Sequence, residues 1–357
     1  MIMDILPILM NAEKKRIMAI DDYRSFIWTT RYYECGDFEL VLPVRSEYLN
    51  NIKQDYYIVR DDDDQAGIIE DITLRRTEDG FDELIVTGRF LTSLIGRRII
   101  TPQRTVSGDV LDNMRYLIRT NCVSNYMTDP ARTIPHFQVE GTTIYGETFD
   151  GQYTGNNLLD TISDLAETYG VGFTCEFNET ADHTDLYYKF YFYQGTDRSY
   201  DQNVNPYVVF SDEYENLTES EYEESYMYMV NAVLVAGEGE GLTRTTAWAT
   251  EGTPEGLDRY ELYLDKRNIR SNDGEISQAD YLKMLEEAGK AELTSFSVAF
   301  QGIAFFTNVK YKEDVFVGDL VQVESKKWGL SMKARLIEVI ESVDETGMYT
   351  IMPTFGR

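Results

Sequence analysis

Apolar and polar positions alternate at both ends of the chain and recur at helical spacing in the middle. In Gly36-Asp37-Phe38-Glu39-Leu40-Val41-Leu42, the side chains of Phe38, Leu40 and Leu42 fall on one side of an extended backbone, the pattern of a half-buried strand. The aromatic and β-branched stretch Tyr23–Tyr33 precedes it. Tyr56–Arg60, Ala66–Leu74 and Glu83–Gly88 follow, with a turn at Glu78-Asp79-Gly80. Strands this short and this closely spaced predict a β-barrel or sandwich over residues 1–100.

Residues 101–205 change character. Val110, Leu111, Met114, Leu117 and Ile118 repeat at 3.6-residue spacing behind Ser107, which is placed to cap a helix. A second such helix runs from Leu158 to Tyr169 and stops at Gly170. Val171, Phe173, Cys175 and Phe177 then alternate, as do Leu186, Tyr188, Phe190 and Phe192, with the polar Asn178–Thr184 between them as a hairpin loop. This predicts an inserted α+β domain. Residues 206–357 return to strands, interrupted by a helix near 277–294 whose start carries Ser277 and Asp280 as a capping box. The acidic stretch Asp212–Glu224 reads as a solvated loop or strand edge, and Gly237–Gly241 as a turn, since its acids oppose phosphate binding.

The two ends resemble one another. Gly36-Asp37-Phe38-Glu39-Leu40 parallels Gly318-Asp319-Leu320-Val321-Gln322, and Ile68–Ile72 parallels Leu336–Ile340. Each is followed by a Glu-x-Gly turn, Gly80 matching Gly347, and Glu70 to Gly88 spans the same eighteen residues as Glu338 to Gly356. Any two hairpins with acidic turns share some of this. The fuller reading is a duplicated β-barrel at the two ends of the chain, around an insert. The predicted fold class is therefore α+β, mainly β: two related β-barrel domains with an inserted α+β domain.

Composition narrows the chemistry. The 357 residues hold 33 Lys and Arg against 62 Asp and Glu, a formal net charge of −29, which repels phosphate and makes a poor nucleic-acid grip. No run is apolar for the roughly 20 residues that span a bilayer, and Met1–Met10 carries an acid and a proline, so no signal peptide and no membrane anchor is expected. Three scattered cysteines, Cys35, Cys122 and Cys175, point to reduced thiols. The two histidines, His136 and His183, have no metal-ligand spacing, and neither a nucleophile elbow nor a phosphate loop is present. Asp61–Asp64 lacks the glycine and glutamate of a calcium loop. Abundant carboxylates leave a glycosidase pair open by count alone. The expected catalytic, cofactor and metal residues are none.

The order Tyr23–Trp28, Gly36–Pro43, Gly67–Glu70, Gly88-Arg89 to Arg97-Arg98, Phe210-Ser211, Gly318-Asp319 and Pro353–Gly356 resembles the phage tail hub proteins, over nearly the whole chain. That resemblance implies a structural, non-enzymatic hub at the virion tail tip or baseplate. It implies two related β-barrels with inserted α+β parts, a homotrimer whose six barrels continue a hexameric tube, and a channel passing DNA and the tape-measure protein. The implied partners are the distal tail or tail-tube protein and other tail-tip proteins, and any lytic activity would have to come from another protein. Gly36, Asp37, Phe38, Gly318, Asp319 and Gly356 are then turn and barrel positions. The aromatic content keeps a peripheral receptor- or wall-polysaccharide-binding protein as an alternative, and the carboxylates a cell-wall hydrolase.

Overall fold

The alternating segments of the two chain ends meet in one sheet. The structure, a computed structural model, describes residues 5–78, 80–126, 129–179, 185–216, 219–272, 274–294, 297–303 and 309–356. Thirteen strands form the main sheet.

The amino-terminal part supplies β1 (Ile8–Met10), β2 (Arg16–Ala19), β3 (Ser25–Arg31), β4 (Asp37–Pro43), a short helix α1 (Ser46–Asn51), β5 (Tyr57–Arg60), β6 (Asp63–Arg76) and β7 (Asp82–Phe90). Their order in space is β3-β4-β7-β6-β5-β1-β2, all antiparallel. Phe26, Trp28, Phe38, Leu40 and Leu42 alternate toward a core completed by Ile58, Ile69, Leu84 and Val86. The Phe38 ring lies across Gly67 and Gly88, where an added Cβ would stand 2.3 Å and 3.0 Å from it, so both positions need glycine.

The chain leaves through α2 (Ser93–Gly96) into β8 (Arg104–Asp109), α3 (Val110–Cys122), β9 (Phe137–Val139), β10 (Thr148–Tyr153), α4 (Leu158–Tyr169), β11 (Gly172–Glu179) and β12 (Leu186–Tyr193). Ser107 does not cap α3. It lies within β8, and Asp109 is the cap, its carboxylate accepting from the Leu111 and Asp112 amides. Gly170 ends α4 at φ 67°, in the left-handed region that glycine reaches without strain. Phe173, Cys175 and Phe177 stand opposite Phe192, Phe190 and Tyr188, so both predicted apolar rows share one face. That face and the two helices pack against Tyr57, Val59, Ala66 and Ile68 on the back of the amino-terminal run. Consecutive Ile68 and Ile69 are therefore both buried, because β6 is covered on both faces at this point.

The remaining strands are β13 (Val209–Ser211), β14 (Glu219–Ser225), β15 (Ala232–Ala236), β16 (Thr246–Thr250), β17 (Glu261–Asp265), β18 (Ser297–Ile303), β19 (Leu320–Ser325), β20 (Leu330–Val343) and β21 (Tyr349–Gly356), with α5 (Gln278–Lys290) before β18. A three-stranded sheet, β16-β15-β17, packs on α5 around its own small core. Ser277 caps α5 by accepting from the Asp280 amide, and its Oγ lies 2.6 Å from Asp280 Oδ2.

The other six strands run β14-β18-β21-β20-β19-β13, matching β3-β4-β7-β6-β5-β1 position for position. The long strands β6 and β20 have 14 residues each. Their following turns bond alike: Thr77 N donates to Phe81 O and Gly80 N to Thr77 O, while Asp344 N donates to Met348 O and Gly347 N to Asp344 O. Both glycines have positive φ, 84° and 77°. In its pairing with the next strand, β7 or β21, each long strand also carries one bulge, at Glu70 between Ile69 and Asp71 and at Ile337 between Leu336 and Glu338. One constant offset takes Ile69 to Leu336, Thr77 to Asp344, Gly80 to Gly347 and Gly88 to Phe355.

This ladder corrects the sequence alignment in two places. The counterpart of Leu336 is Ile69 rather than Ile68, a one-residue slip that would exchange the faces of the strand. Gly36–Leu40 leads into β4, whose counterpart is β18, whereas Gly318–Gln322 leads into β19, the counterpart of β5. Gly-Asp recurs because turns entering strands favour it, and the ladder decides which strand it serves. The halves also differ at one end, where β1 joins β5 antiparallel and β13 joins β19 parallel. Among the described residues no strand pair closes either run into a barrel. The two runs are instead joined through β20, whose Glu338–Val343 pairs antiparallel with Arg31–Phe26 of β3.

Candidate functional site

Among the described residues the seam between β3 and β20 is the one place where the duplicated runs touch by strand pairing, and it is built around buried charge. Arg60, at the end of β5, is fully buried and donates through Nη2 to Glu341 Oε1 at 3.0 Å and through Nη1 to Oε2 at 3.2 Å. It also donates through Nε to Asp62 Oδ1 at 2.9 Å. Lys312 Nζ bridges Asp63 Oδ2 at 2.5 Å and Glu341 Oε2 at 2.7 Å. Tyr349 Oη donates to Glu341 Oε1 at 2.7 Å, and Trp28 Nε1 to Asp63 Oδ2 at 3.1 Å. Burial alone would raise the Glu341 pKa, but the charges of Arg60 and Lys312 outweigh it and hold the carboxyl below its ordinary value. For Arg60 burial opposes the charge, and hydrogen bonding to Asp62 with the charge of Glu341 and Asp63 prevails, raising its pKa. Each ion has several partners, which is the condition under which buried charge is tolerated.

The aspartate run considered as an ion site is thus engaged by the protein's own cations: Asp61 with Arg16, Asp62 with Arg60, and Asp63 with Lys312. Among the described residues no group of three or more His, Cys, Asp or Glu side chains is arranged to hold a metal ion.

A second knot ties the middle segment to the carboxy-terminal run. Asp319 is buried and accepts from Thr196 N at 2.7 Å, Arg198 Nε at 2.8 Å and Phe316 N at 3.1 Å. Gly318 beside it has φ 99°, and an added Cβ would stand 2.3 Å from the Tyr32 ring. An added Cβ at Gly172 would likewise stand 2.2 Å from that ring, and Gly195 packs on the Gly318 carbonyl. Tyr32 Oη accepts from Gly195 N, and Arg335 lies over the ring at 5.1 Å. Tyr32 therefore joins β3, the middle segment and the β19–β20 hairpin.

The other predicted turn residues lie elsewhere. Gly36 packs under Phe90, Asp37 pairs with Arg31 at 2.5 Å, Phe38 fills the amino-terminal core, and Gly356 ends β21 beside Ile337. The six positions do not converge. Of the residues that do converge, Arg60, Asp63, Lys312 and Glu341 carry no sequence signal beyond their charge, and Trp28 and Tyr349 none beyond the aromatic character common in strands.

The remaining chemistry is dispersed. Burial pushes the Cys35 thiol up to about 11 and Cys122 up to about 12, and raises Cys175 well above the ordinary value, so all three stay protonated at neutral pH. They are free thiols. His136 Nδ1 lies 3.4 Å from Asp185 Oδ2 at the rim of an open cleft of about 540 Å³ that also holds Lys14, Arg97 and Arg98. His183 lies outside the described residues.

A family model described as Siphovirus ReqiPepy6 Gp37-like protein matches residues 6–357. Several solved structures share the fold. A tail protein from Neisseria meningitidis is 13% identical with a TM-score of 0.59, over 99% of this chain and 96% of that one. The 43 kDa tail protein of prophage MuSo2 from Shewanella oneidensis is 13% identical with a TM-score of 0.57, over 98% and 97%. A prophage tail protein from Listeria monocytogenes is 12% identical with a TM-score of 0.54, over 99% and 94%. No curated protein matches the chain.

Proposed function

We propose, from the premise that the chain belongs to the Siphovirus ReqiPepy6 Gp37-like protein family, that it is a structural tail protein acting as the hub between the tail tube and the tail tip or baseplate. In this reading residues 1–100 and 206–357 are the two related barrel-type domains and residues 101–205 the insert. Three copies ring a channel that passes DNA and the tape-measure protein. The distal tail or tail-tube protein and other tail-tip proteins are its neighbours in the virion.

The observation that carries the proposal is the duplicated strand order, because a chain with two equivalent halves lets three copies present six similar units to a hexameric tube. The fold shared with tail proteins from three bacteria supports it. Protonated buried thiols favour a scaffold over a thiol-dependent enzyme. The net charge of −29 suits a channel wall from which DNA is repelled. Imaging of the particle tests the reading: three copies on the tail axis are expected, and single copies at the periphery overturn it. A strongly positive channel wall would sink the part of the reading that concerns DNA passage.

A further inference from the structure

The small sheet β16-β15-β17 is covered by α5 on one face only. Val233, Val235, Ala247 and Ala249 turn toward Tyr281 and Leu285 of α5 in a shared core, so the alternate positions face the other way. Across that second face the register sets Leu234 of β15 opposite Trp248 of β16 on one side and Tyr263 of β17 on the other. Trp248 is 42% and Tyr263 57% exposed, with Leu234 half-buried between them. α5 is itself held against the middle segment, Lys283 by Asp150 and Glu287 by the Tyr169 hydroxyl. The aromatic row therefore lies on the side of the sheet away from that segment.

Both rings are braced. The Arg259 guanidinium lies 4.6 Å from the centre of the Trp248 ring and donates to Glu261 at 2.6 Å. Arg244 donates to the Tyr263 hydroxyl at 2.7 Å and pairs with Asp265. By register, exposed Thr250 and Glu261 flank the row on one side, and exposed Thr246 and Asp265 on the other. Apolar rings are thus fixed between two rows of hydroxyls and charge pairs, which lowers the ordering cost of any ligand laid across them.

Spacing, area and charge select that ligand. Trp248 and Tyr263 stand two inter-strand spacings apart, about 9.6 Å, which is close to the repeat of two sugar rings in an extended β-1,4-linked chain. The exposed apolar area of the row is on the order of 300 Å², well short of the ~800 Å² that each partner gives to a stable protein interface. The two guanidiniums beside the rings are each matched by a carboxylate, in a chain of net charge −29, so the face suits an uncharged ligand and opposes a polyanion. We infer that this face binds a neutral β-1,4-linked polysaccharide. Alternate sugars stack on the exposed surfaces of Trp248 and Tyr263, where C–H groups meet the negative face of an aromatic ring, and the sugar between them crosses Leu234. The flanking hydroxyls and charged groups hydrogen-bond the sugar hydroxyls. The platform stands whether or not the chain is a hub.

Titration of the full chain with oligomers of β-1,4-linked N-acetylglucosamine and of β-1,4-linked glucose, read by tryptophan fluorescence and calorimetry, tests it. At least one series is expected to bind, with affinity rising roughly tenfold from disaccharide to tetrasaccharide as the second ring is reached. Trp248→Ala and Tyr263→Ala are each expected to weaken the tetrasaccharide roughly tenfold. Tyr263→Phe, which keeps the ring, is expected to retain most of the affinity, a rescue that misfolding would not give. Trp328→Ala, at a tryptophan 46% exposed elsewhere, is expected to change nothing. Affinity is expected to hold from low to high salt, since the ligand is neutral. Binding in neither series overturns the platform, as does binding that survives both alanine variants or ignores oligomer length. Single-stranded DNA that binds these rings and weakens with salt overturns it in favour of bases, and burial of Trp248 by self-association overturns it in favour of a second copy.

Discussion

The seam of β3 with β20 and the edges of β14 and β6 occupy the same place in two copies of one ladder, yet they are built from different material. The seam is sealed, and at its centre Glu341 is met by Arg60, Lys312 and Tyr349. Its counterpart, Leu74, is exposed at the end of a strand with no ion near its side chain in the network described. A permanently covered junction can hold a charge cluster because each ion keeps its partners for the life of the fold. The uncovered edges instead keep modest apolar area and separated charges of opposite sign, a composition that remains soluble.

The largest effect that separates the two regions concerns the paired aromatics. Trp28→Ala should lower unfolding free energy by ~4 kcal/mol in chemical denaturation, the cost of emptying a fully buried aromatic site, whereas Tyr222→Ala should cost the isolated chain about 1 kcal/mol. Equal losses would break the distinction between sealed and open. Next is the network: Glu341→Ala strands Arg60 and Lys312 beside fewer acids and should cost ~3 kcal/mol, while Leu74→Ala stays within about 0.5 kcal/mol. Turn geometry gives a smaller contrast. Gly318→Ala, with positive φ and the Tyr32 ring in the way, should cost ~2 kcal/mol, against ~1 kcal/mol for Gly80→Ala and Gly347→Ala, which have open space. Matching values for the last two would sharpen the equivalence of the halves.

Acid provides the finest test. The Glu341 pKa is depressed in the folded state, so its contribution is fully present above its ordinary value of 4.5 and is lost as pH falls through the lower folded value. Asp62 behaves alike: burial raises its pKa but the Arg60 hydrogen bond prevails, lowering it from 3.8. The stability gap between the natural chain and Glu341→Gln should therefore narrow as pH drops from about 5 to about 3 in parallel urea titrations. A gap independent of acid would remove Glu341 ionisation from the account of the seam.

Local signals in the sequence carried well where local physics decides. Gly170 stops α4, Ser277 and Asp280 open α5, and the alternation at Phe38, Leu40 and Leu42 marks a core strand. Ser107 misled because Asp109, two residues later, is nearer the first helical amides and is an equally good acceptor. The duplication was legible in the turns of Gly80 and Gly347, but its register was not, because the consecutive apolar pairs Ile68-Ile69 and Leu336-Ile337 can be set against each other one residue out and only the strand pairing decides between them. The seam was invisible. Arg60 and Glu341 stand 281 positions apart, and nothing along the chain says that a charge at the end of β5 will meet one in the middle of β20. Asp62 and Asp63 register in the sequence only as part of an incomplete calcium loop, for the same reason.

The tight bend between β3 and β4 has as its counterpart the whole stretch between β14 and β18, which holds the β16-β15-β17 sheet and α5 with a core of their own. One ladder thus accepts, at the same hairpin tip, either a few residues or a folded module, because the entropy of closing the longer loop grows only slowly with its length. That makes the tip a graft point: modules can be exchanged there over evolutionary time, or by design, with the strand register and the seam left as they are.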